Sequence, residues 1–425
     1  MSKVIAFSGR QLVSHHRLKL DSRWLEQIAA ISNHQCQRCG SKILAKLPDG
    51  RCYCRTCLNL GRITEGDFLI RIGTTQERPL IPNGGLVWKG RLTPAQRQVS
   101  AELIISYHAH RSRLIHAVTG AGKTEMLFEC LSRCLSEGRR ACIATPRIDV
   151  VNELAPRLNE AFKIKIGVYH GQNYHQPDNE SLIVCTTHQL LKFYHAFDLL
   201  VIDESDAFPF SNQPFLHFGV KQALKSHGSQ IWLTATPDKH LSERVERREI
   251  DYSKLNRRFH GSDLHVPRLI LFWRQFLTIQ GRFSHKLKRL LDRLLDLKKP
   301  VLVFVPRIRE LPLYLHAFQE TYPLKKCAAV HAGSADRQKI VSDFRQGNYD
   351  FLFTTTILER GVTIKHVQVV VLAADDVIYS AASLIQIAGR AGRAFDDTYG
   401  EVLFCYHRYT KQIDQAVRQI KGMNQ

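Results

Sequence analysis

The stretch AVTGAGKT, residues 117–124, has the composition of a loop that holds phosphate groups. It follows a short β-branched run and precedes the helical pattern EMLFECLSRCL. Backbone N–H groups at the beginning of a helix bind phosphate oxygens, and a lysine neutralises their charge. We therefore expect Lys123 to contact the β- and γ-phosphates of a nucleotide, and the Thr124 hydroxyl to bind Mg²⁺. The rest of the predicted cradle consists of Thr119, Gly120, Ala121 and Gly122, with Ala117 in place of the usual first glycine.

A later apolar run, LLVI, ends in two adjacent carboxylates, Asp203 and Glu204. Such a pair can be an ordinary solvated turn. At the end of a buried strand that follows a phosphate loop, however, it suits nucleotide hydrolysis. Asp203 would hold Mg²⁺, directly or through water, and Glu204 would orient and deprotonate the attacking water.

Five of the eleven cysteines lie between residues 36 and 57, and four of them form two CxxC pairs separated by 14 residues. Zinc prefers four soft ligands in a tetrahedron, and two CxxC turns at about this spacing supply them. The pattern predicts a zinc site of Cys36, Cys39, Cys54 and Cys57. Cys52 competes for the third position, but only Cys54 has the two-residue spacing. A redox-active thiol pair is the alternative.

Basic residues surround the cysteine cluster. Four thiolates around one divalent ion leave a net charge near −2, which arginines can balance. The same arginines could instead contact phosphate groups, and the ion could serve only as a structural staple. These alternatives concern Arg38, Arg51, Arg55 and Arg62.

Two series of apolar runs must position these residues. RLIHAV, ACIATP, SLIVCTT, LLVIDE and IWLTATP alternate with helical stretches, and VLVFVP, CAAVHAG, DFLFTTT, VQVVVLA and EVLFCY follow after a connector near Pro267. Nearly continuous apolar strands separated by helices are typical of parallel sheets covered on both faces. We predict an N-terminal module over residues 1–90 and two α/β domains over 91–262 and 263–425.

Composition narrows the class of partner. The chain has 60 Lys and Arg against 39 Asp and Glu, a formal charge of +21. This surplus favours nucleic acid, with anionic lipid headgroups as the competitor. The N-terminus lacks a signal-peptide pattern and no run of 18 apolar residues occurs, so we expect a cytoplasmic protein, with peripheral attachment to the inner membrane face as an option. A disulfide framework is not expected.

The order of motifs resembles superfamily 2 helicases over residues 92–425. The resemblance implies two tandem RecA-like P-loop domains, with ATP hydrolysed at the cleft between them. Leu92–Gln96 resembles the adenine-reading motif, with Gln96 as the contact. Thr145–Arg147 and Cys185–His188 resemble strand-backbone contacts, and residues 203–206, DESD, stand at the DExD position. Thr234–Thr236 resembles the segment that couples hydrolysis to movement, and Thr354–Gly361 resembles a motif that contacts both nucleotide and nucleic acid. Residues 386–393 match the motif QxxGRxGR, whose arginines here are Arg390 and Arg393. The resemblance implies that these arginines, Arg393 in particular, reach the γ-phosphate.

The layout as a whole resembles the ComFA family of Gram-positive bacteria. The stretches CRTCLNLGR, DESDAFPF and QIAGRAGR carry this resemblance, together with the four-cysteine module directly ahead of the first domain. It implies a translocase that uses ATP, Mg²⁺ and a zinc module to move single-stranded DNA inward during natural transformation, beside the ComEC channel and with ComFC. The alternatives are a PriA-like replication or repair helicase, a DEAD-box RNA helicase, and a non-catalytic zinc protein that binds nucleic acid.

Overall fold

The computed structural model describes residues 7–19, 25–74, 78–118, 120–171, 177–256, 258, 263–360, 364–392 and 400–424. The chain divides into two compact units. One comprises Met1–Ala117 and Gly122–Leu255, and the other comprises Val118–Ala121 and Asn256–Gln425. The N-terminal module therefore belongs to the same compact unit as the first α/β domain.

The N-terminal module is built on a small antiparallel sheet with two short hairpins. Its strands are β1 (Gln11–Ser14), β2 (Leu25–Ala29), β3 (Ile31–Ser32), β4 (Gln35–Cys36), β5 (Ala45–Lys46), β6 (Cys52–Tyr53) and β7 (Phe68–Ile72). The central strand β7 pairs with β1 on one side and β2 on the other. β3 pairs with β4 and β5 with β6, and these hairpins carry the cysteine pairs.

The first α/β domain contains a seven-stranded sheet in which every pairing is parallel. Its strands are β8 (Arg113–Ala117), β9 (Ala141–Thr145), β10 (Ile166–Tyr169), β11 (Leu182–Thr186), β12 (Phe197–Asp203), β13 (Leu224–Thr234) and β14 (Asp251–Leu255). They lie in the order β10-β11-β9-β12-β13-β8-β14. Its helices are α1 (Pro94–His108), α2 (Lys123–Ser136), α3 (Ile148–Ala161), α4 (Pro214–Ala223) and α5 (Lys239–Glu246).

The second α/β domain contains a six-stranded sheet whose pairings are again all parallel. Its strands are β15 (Arg268–Leu271), β16 (Val301–Phe304), β17 (Cys327–Val330), β18 (Phe351–Thr354), β19 (Gln368–Val371) and β20 (Val402–Tyr406). They lie in the order β15-β20-β19-β16-β18-β17. Its helices are α6 (His285–Asp296), α7 (Leu311–Thr321), α8 (Arg337–Arg345), α9 (Ala381–Ala388) and α10 (Lys411–Met423).

The interior strands explain why the sheets form. β9, β11, β16 and β18 are buried along their whole length, as expected for strands covered by helices on both faces. The predicted α/β architecture with two parallel sheets is confirmed. Within the described residues, no helix is both long enough and apolar enough to span a membrane.

Candidate functional site: a phosphate loop and a four-cysteine cluster

The phosphate loop lies where the sequence places it, between β8 and α2. Gly120 and Gly122 have φ angles of 81° and 70°, which a side chain would disfavour. Helix α2 begins at Lys123 with Gly122 as its N-cap, so its first N–H groups border the loop. A Cβ on Gly122 would lie 2.4 Å from Nε2 of Gln96, so a side chain there would displace the Gln96 carboxamide. The predicted Thr119 lies outside the described residues.

Gln96 is 1% exposed and belongs to the cap of helix α1. Its side-chain oxygen accepts a hydrogen bond from the Thr93 backbone N–H at 2.8 Å. Its own backbone N–H donates to Oγ1 of Thr93 at 3.3 Å, completing a capping box. The cap holds the Gln96 carboxamide against Gly122 of the phosphate loop. Its contact with adenine stays a prediction.

The carboxylates of the DESD segment occupy a tight turn at the end of β12. Glu204 has a φ of 53°, and its backbone N–H donates to Oδ1 of Asp203 at 2.9 Å. Asp206 accepts hydrogen bonds from the hydroxyls of Thr234 at 2.7 Å and Thr236 at 2.5 Å. The DESD turn and the Thr234–Thr236 segment are therefore joined directly, by bonds to a charged acceptor that are stronger than neutral ones.

His116 is a further polar residue at this site, and the motif patterns did not point to it. It lies in β8, and its Nε2 is 3.1 Å from the Ala235 carbonyl while Nδ1 is 3.1 Å from the Tyr252 hydroxyl. A carbonyl only accepts, so Nε2 carries the hydrogen and Nδ1 accepts from Tyr252. Burial lowers the His116 pKa, which favours this neutral form. A histidine inside the apolar run RLIHAV was the available signal.

In the second unit, Arg390 is 3% exposed and tied to the main chain. Its Nε and Nη2 donate to the Glu359 carbonyl at 2.9 and 2.8 Å. The Glu359 carboxylate accepts from the Ser383 hydroxyl on α9. The arrangement links the segment before residue 361 to the QIAGRAGR segment. Contact of Arg390 with a γ-phosphate stays a prediction, and the predicted Gly361 and Arg393 lie outside the described residues.

The four predicted zinc ligands come together in the N-terminal module. Their Sγ atoms all lie within 4.8 Å of one another and all four residues are buried. Sγ of Cys36 is 3.8 Å from that of Cys57, and Sγ of Cys39 is 3.5 Å from that of Cys54. Zinc–sulfur bonds of about 2.3 Å in a tetrahedron require sulfur separations of about 3.8 Å. The cluster therefore fits a zinc ion.

Two details favour Cys54 over Cys52 as the third ligand. Cys54 belongs to the group of converging sulfurs, whereas Cys52 does not. Cys52 lies in β6, where its backbone N–H donates to the Glu65 carboxylate at 3.0 Å.

Hydrogen bonds among the four thiols, of which those of Cys36 have the largest effect, lower the pKa of Cys39 and raise that of Cys57. Such sharing of charge is expected among crowded thiols.

Arg38 supplies a buried cation to the cluster. Its Nε is 3.3 Å from Sγ of Cys57, and its other nitrogens donate to the carbonyls of Cys57, Leu60 and Gly61. Arg51 pairs with Asp49 at 2.7 Å. Arg55 and Arg62 are exposed. Arg38 can thus offset the charge of four thiolates. Arg51 is exposed as well, so the exposed arginines of this group are Arg51, Arg55 and Arg62.

The module packs on the first α/β domain close to the cysteines. Leu191 belongs to the same apolar cluster as the four cysteines, and Phe215 packs against that cluster. Gln11 donates from Nε2 to the Leu191 carbonyl at 2.9 Å. Gly40, in the turn after the first CxxC pair, has a φ of 73°, and a Cβ there would lie 2.6 Å from the Phe218 ring. The contact is therefore close.

Comparison with known proteins identifies the family. The model of the helicase conserved C-terminal domain matches residues 285–395, and the model of the type III restriction enzyme res subunit matches residues 89–239. The chain is 37% identical over 429 residues to competence protein ComFA of Streptococcus pneumoniae, covering 98% of each. It is 35% identical over 401 residues to ComFA of Bacillus subtilis, covering 92% of this chain and 86% of that protein.

A solved structure supports the fold assignment. The Mycobacterium smegmatis helicase Lhr, bound to ssDNA and AMP-PNP, aligns with a TM-score of 0.59 at 17% identity. The alignment covers 79% of this chain and 50% of that one. At this identity the likeness shows the fold, which is a pair of tandem RecA-like helicase domains. The two ComFA relatives and the two domain matches show that the chain belongs to the ComFA family of competence proteins, within the ATP-hydrolysing superfamily 2 helicases.

Proposed function

We propose that this protein is an ATP-driven translocase or helicase that acts on single-stranded DNA and drives DNA uptake during natural transformation. Family membership and the formal charge of +21 support single-stranded DNA as the substrate. We further propose that ATP is hydrolysed at the cleft between the two RecA-like domains. That detail rests on the order of the helicase motifs.

The observation that carries the proposal is the pair of hydrogen bonds from Thr234 and Thr236 to Asp206. These bonds attach the DESD turn, which carries Glu204, to the Thr234–Thr236 segment. The helicase resemblance associates that segment with movement. A change at one of these segments must therefore be felt at the other. Such a connection suits a motor, in which nucleotide hydrolysis is coupled to movement.

Each chain residue then has a defined task. Lys123 and the first N–H groups of α2 would bind the phosphates, with the remaining cradle and Gln96 holding the rest of the nucleotide. Thr124 and Asp203 would hold Mg²⁺, which offsets phosphate charge when bound. Glu204 would accept the proton of the attacking water. The second domain would supply Arg390 and Arg393, which would reach the γ-phosphate. Its segment ending at Gly361 would contact the nucleotide.

The cysteine cluster would hold one zinc ion through Cys36, Cys39, Cys54 and Cys57, stabilising the N-terminal module. We expect one equivalent of zinc per chain by elemental analysis, and its loss in the Cys36→Ala variant. A variant with undiminished zinc would contradict this assignment.

The decisive experiment compares ATP turnover with single-stranded DNA, duplex DNA and RNA. We expect single-stranded DNA to stimulate turnover most. Lys123→Ala and Glu204→Gln should abolish turnover yet retain DNA binding by fluorescence anisotropy, because phosphate contacts are spread over many residues. Lys89→Ala, which changes an exposed lysine of the same unit, is the matched control. Equal turnover with and without DNA would refute the proposal, and strongest stimulation by RNA would favour an RNA helicase.

The family resemblance also suggests the cellular setting. We propose that the protein works in the cytoplasm at the inner face of the cell membrane, with ComFC and the ComEC channel as partners. Co-purification of tagged protein with each partner from competent cells, compared with uninduced cells, tests this. Failure to recover either partner would limit the proposal to DNA translocation.

A further inference from the structure

A cavity of about 510 Å³ lies in the first α/β domain, and no phosphate-loop residue lines it. Helices α4 and α5 form its sides, and residues of β13, among them Gln230 and Trp232, lie between them. The DESD turn closes one part of it through Ser205 and Phe210. Its volume is in the range of small-molecule sites, which run from about 300 to 1,000 Å³.

Ser205 gives the cavity an unsatisfied polar group. The residue is 2% exposed, and its hydroxyl has no hydrogen-bond partner among the described residues. Its backbone N–H already donates to the Leu233 carbonyl at 3.2 Å, which fixes the turn. The Ser205 hydroxyl is not used in fixing the turn. A buried hydroxyl without a partner is destabilising, and a ligand that reaches into the cavity would supply the missing hydrogen bond.

The walls of the cavity carry cationic groups. Lys221 at the end of α4 is exposed and has no ion-pair partner within the described ranges. The guanidinium of Arg244 lies 5.0 Å above the Trp232 ring, and Nε of Arg244 is 3.2 Å from the Glu249 carboxylate. The cavity's own carboxylate, Asp238, is engaged as the N-cap of α5 through the Leu241 N–H at 2.7 Å. The lining therefore suits a ligand that carries an anionic group.

We propose that this cavity binds a nucleotide unit, with its base inside and its phosphate at Lys221. The Ser205 hydroxyl and the Gln230 carboxamide offer both donors and acceptors, which match the mixed donor and acceptor edge of a heteroaromatic base. Phe210 and Trp232 provide the apolar lining that a base requires. The nucleotide can come from a free mononucleotide or from one residue of a bound DNA strand, and both have the same chemistry.

The position of the cavity gives binding a consequence. Ser205 stands between Glu204 and Asp206, and α5 begins shortly after Thr236. A nucleotide bonded to Ser205 holds the turn that presents the proposed water-activating carboxylate. A nucleotide in the cavity therefore affects the position of Glu204 in the proposed ATPase centre without itself entering that centre. The binding itself does not depend on the proposed function, and its test below needs no ATP turnover.

The test measures dTMP binding by isothermal titration calorimetry to the full chain and to its Lys123→Ala variant, in which the phosphate loop has lost its lysine. Both proteins should bind dTMP equally well at the cavity. We expect saturable binding that Lys221→Glu weakens at least tenfold. The control Lys89→Glu makes the same charge change at another exposed site of the unit and should leave binding unchanged. Gln230→Ala should weaken dTMP binding without weakening inorganic phosphate binding, since Gln230 is assigned to the base.

A second arm replaces dTMP with a ten-nucleotide oligothymidylate. Lys221-dependent binding of dTMP identifies a free nucleotide as a ligand, whereas Lys221-dependent binding of the oligonucleotide alone identifies a strand residue. Both outcomes support the site. The proposal is overturned if Lys221→Glu and Lys89→Glu behave alike with both ligands, if Lys123→Ala abolishes dTMP binding, or if inorganic phosphate binds as tightly as dTMP.

Discussion

Replacing Arg38 with alanine removes a buried guanidinium from the cysteine cluster. Arg38 is 3% exposed and donates to Sγ of Cys57 at 3.3 Å and to the Cys57 carbonyl at 3.2 Å. Its bonds to the Leu60 and Gly61 carbonyls, at 3.3 and 2.5 Å, lie nearer the surface. In the Arg38→Ala variant, water can replace the outer two bonds but not the inner two.

The expected loss follows from the two buried bonds. A hydrogen bond from a charged donor contributes about 1.5–3 kcal/mol, so the two together give about 3 kcal/mol or more. Part of this acts on the metal-bound state, since groups that bond to ligand atoms typically change metal affinity about 10- to 100-fold. That range corresponds to about 1.4–2.8 kcal/mol. We expect the remainder to appear as lower thermal stability of the module.

Zinc affinity can be measured by competition with a chromophoric chelator, and stability by thermal denaturation of the zinc-loaded protein. Arg55→Ala is the matched control, because Arg55 is an exposed arginine immediately after Cys54. Arg38→Lys keeps the charge but cannot reach all four acceptors, so we expect an intermediate effect. Equal zinc affinity in Arg38→Ala and Arg55→Ala would refute the role of Arg38 as the cation that offsets the thiolate charge.

Three further predictions follow from particular contacts. Thr236→Val removes one hydroxyl from Asp206 and should lower DNA-stimulated kcat about tenfold with KM for ATP nearly unchanged; steady-state kinetics showing an unchanged kcat would contradict it. The double variant Arg55→Ala, Arg62→Ala should reduce the slope of log K against log salt concentration for single-stranded DNA binding by about 0.7 per arginine. An unchanged slope would show that these two arginines do not contact the strand. Burial lowers the His116 pKa below its ordinary 6.5, so the folded state binds fewer protons than the unfolded chain. The melting temperature should therefore fall between pH 7.5 and 5.5, and less steeply in His116→Gln; equal slopes would exclude a contribution from His116.

Among the described strands of the two α/β domains, the sequence predicts every interior strand but, of the edge strands, only β17, for a physical reason. β9 and β16 are buried on both faces, so their residues form the continuous apolar runs that identify them. β10, β14 and β15 lie at sheet edges, where part of each strand meets solvent. The sequence of β14, DYSKL, is consequently mixed in polarity and does not look like a strand. The predicted borders near residues 90 and 262 stay predictions.

The candidate sites divide in a similar way. The phosphate loop, the carboxylate turn and the CxxC pairs depend on local spacing, so the sequence alone locates them. The bonds of Asp206 to Thr234 and Thr236 and those of His116 to Ala235 join strands that are distant in the chain but adjacent in the sheet. Which polar groups meet across β8, β12 and β13 depends on strand order and register, and neither follows from local pattern.

The zinc module and the first domain share one apolar cluster at their junction. The four cysteines share an apolar cluster with Leu191, which lies in the short helix Thr187–Lys192. That helix directly follows β11 and includes Thr187 and His188, the second half of the predicted strand-contact segment Cys185–His188. Phe215 and Phe218, which pack against the module, lie in α4 just beyond the DESD turn. Collapse of the module on zinc loss would therefore expose the supports of both segments. We accordingly expect zinc binding to stabilise the first domain as well as the module.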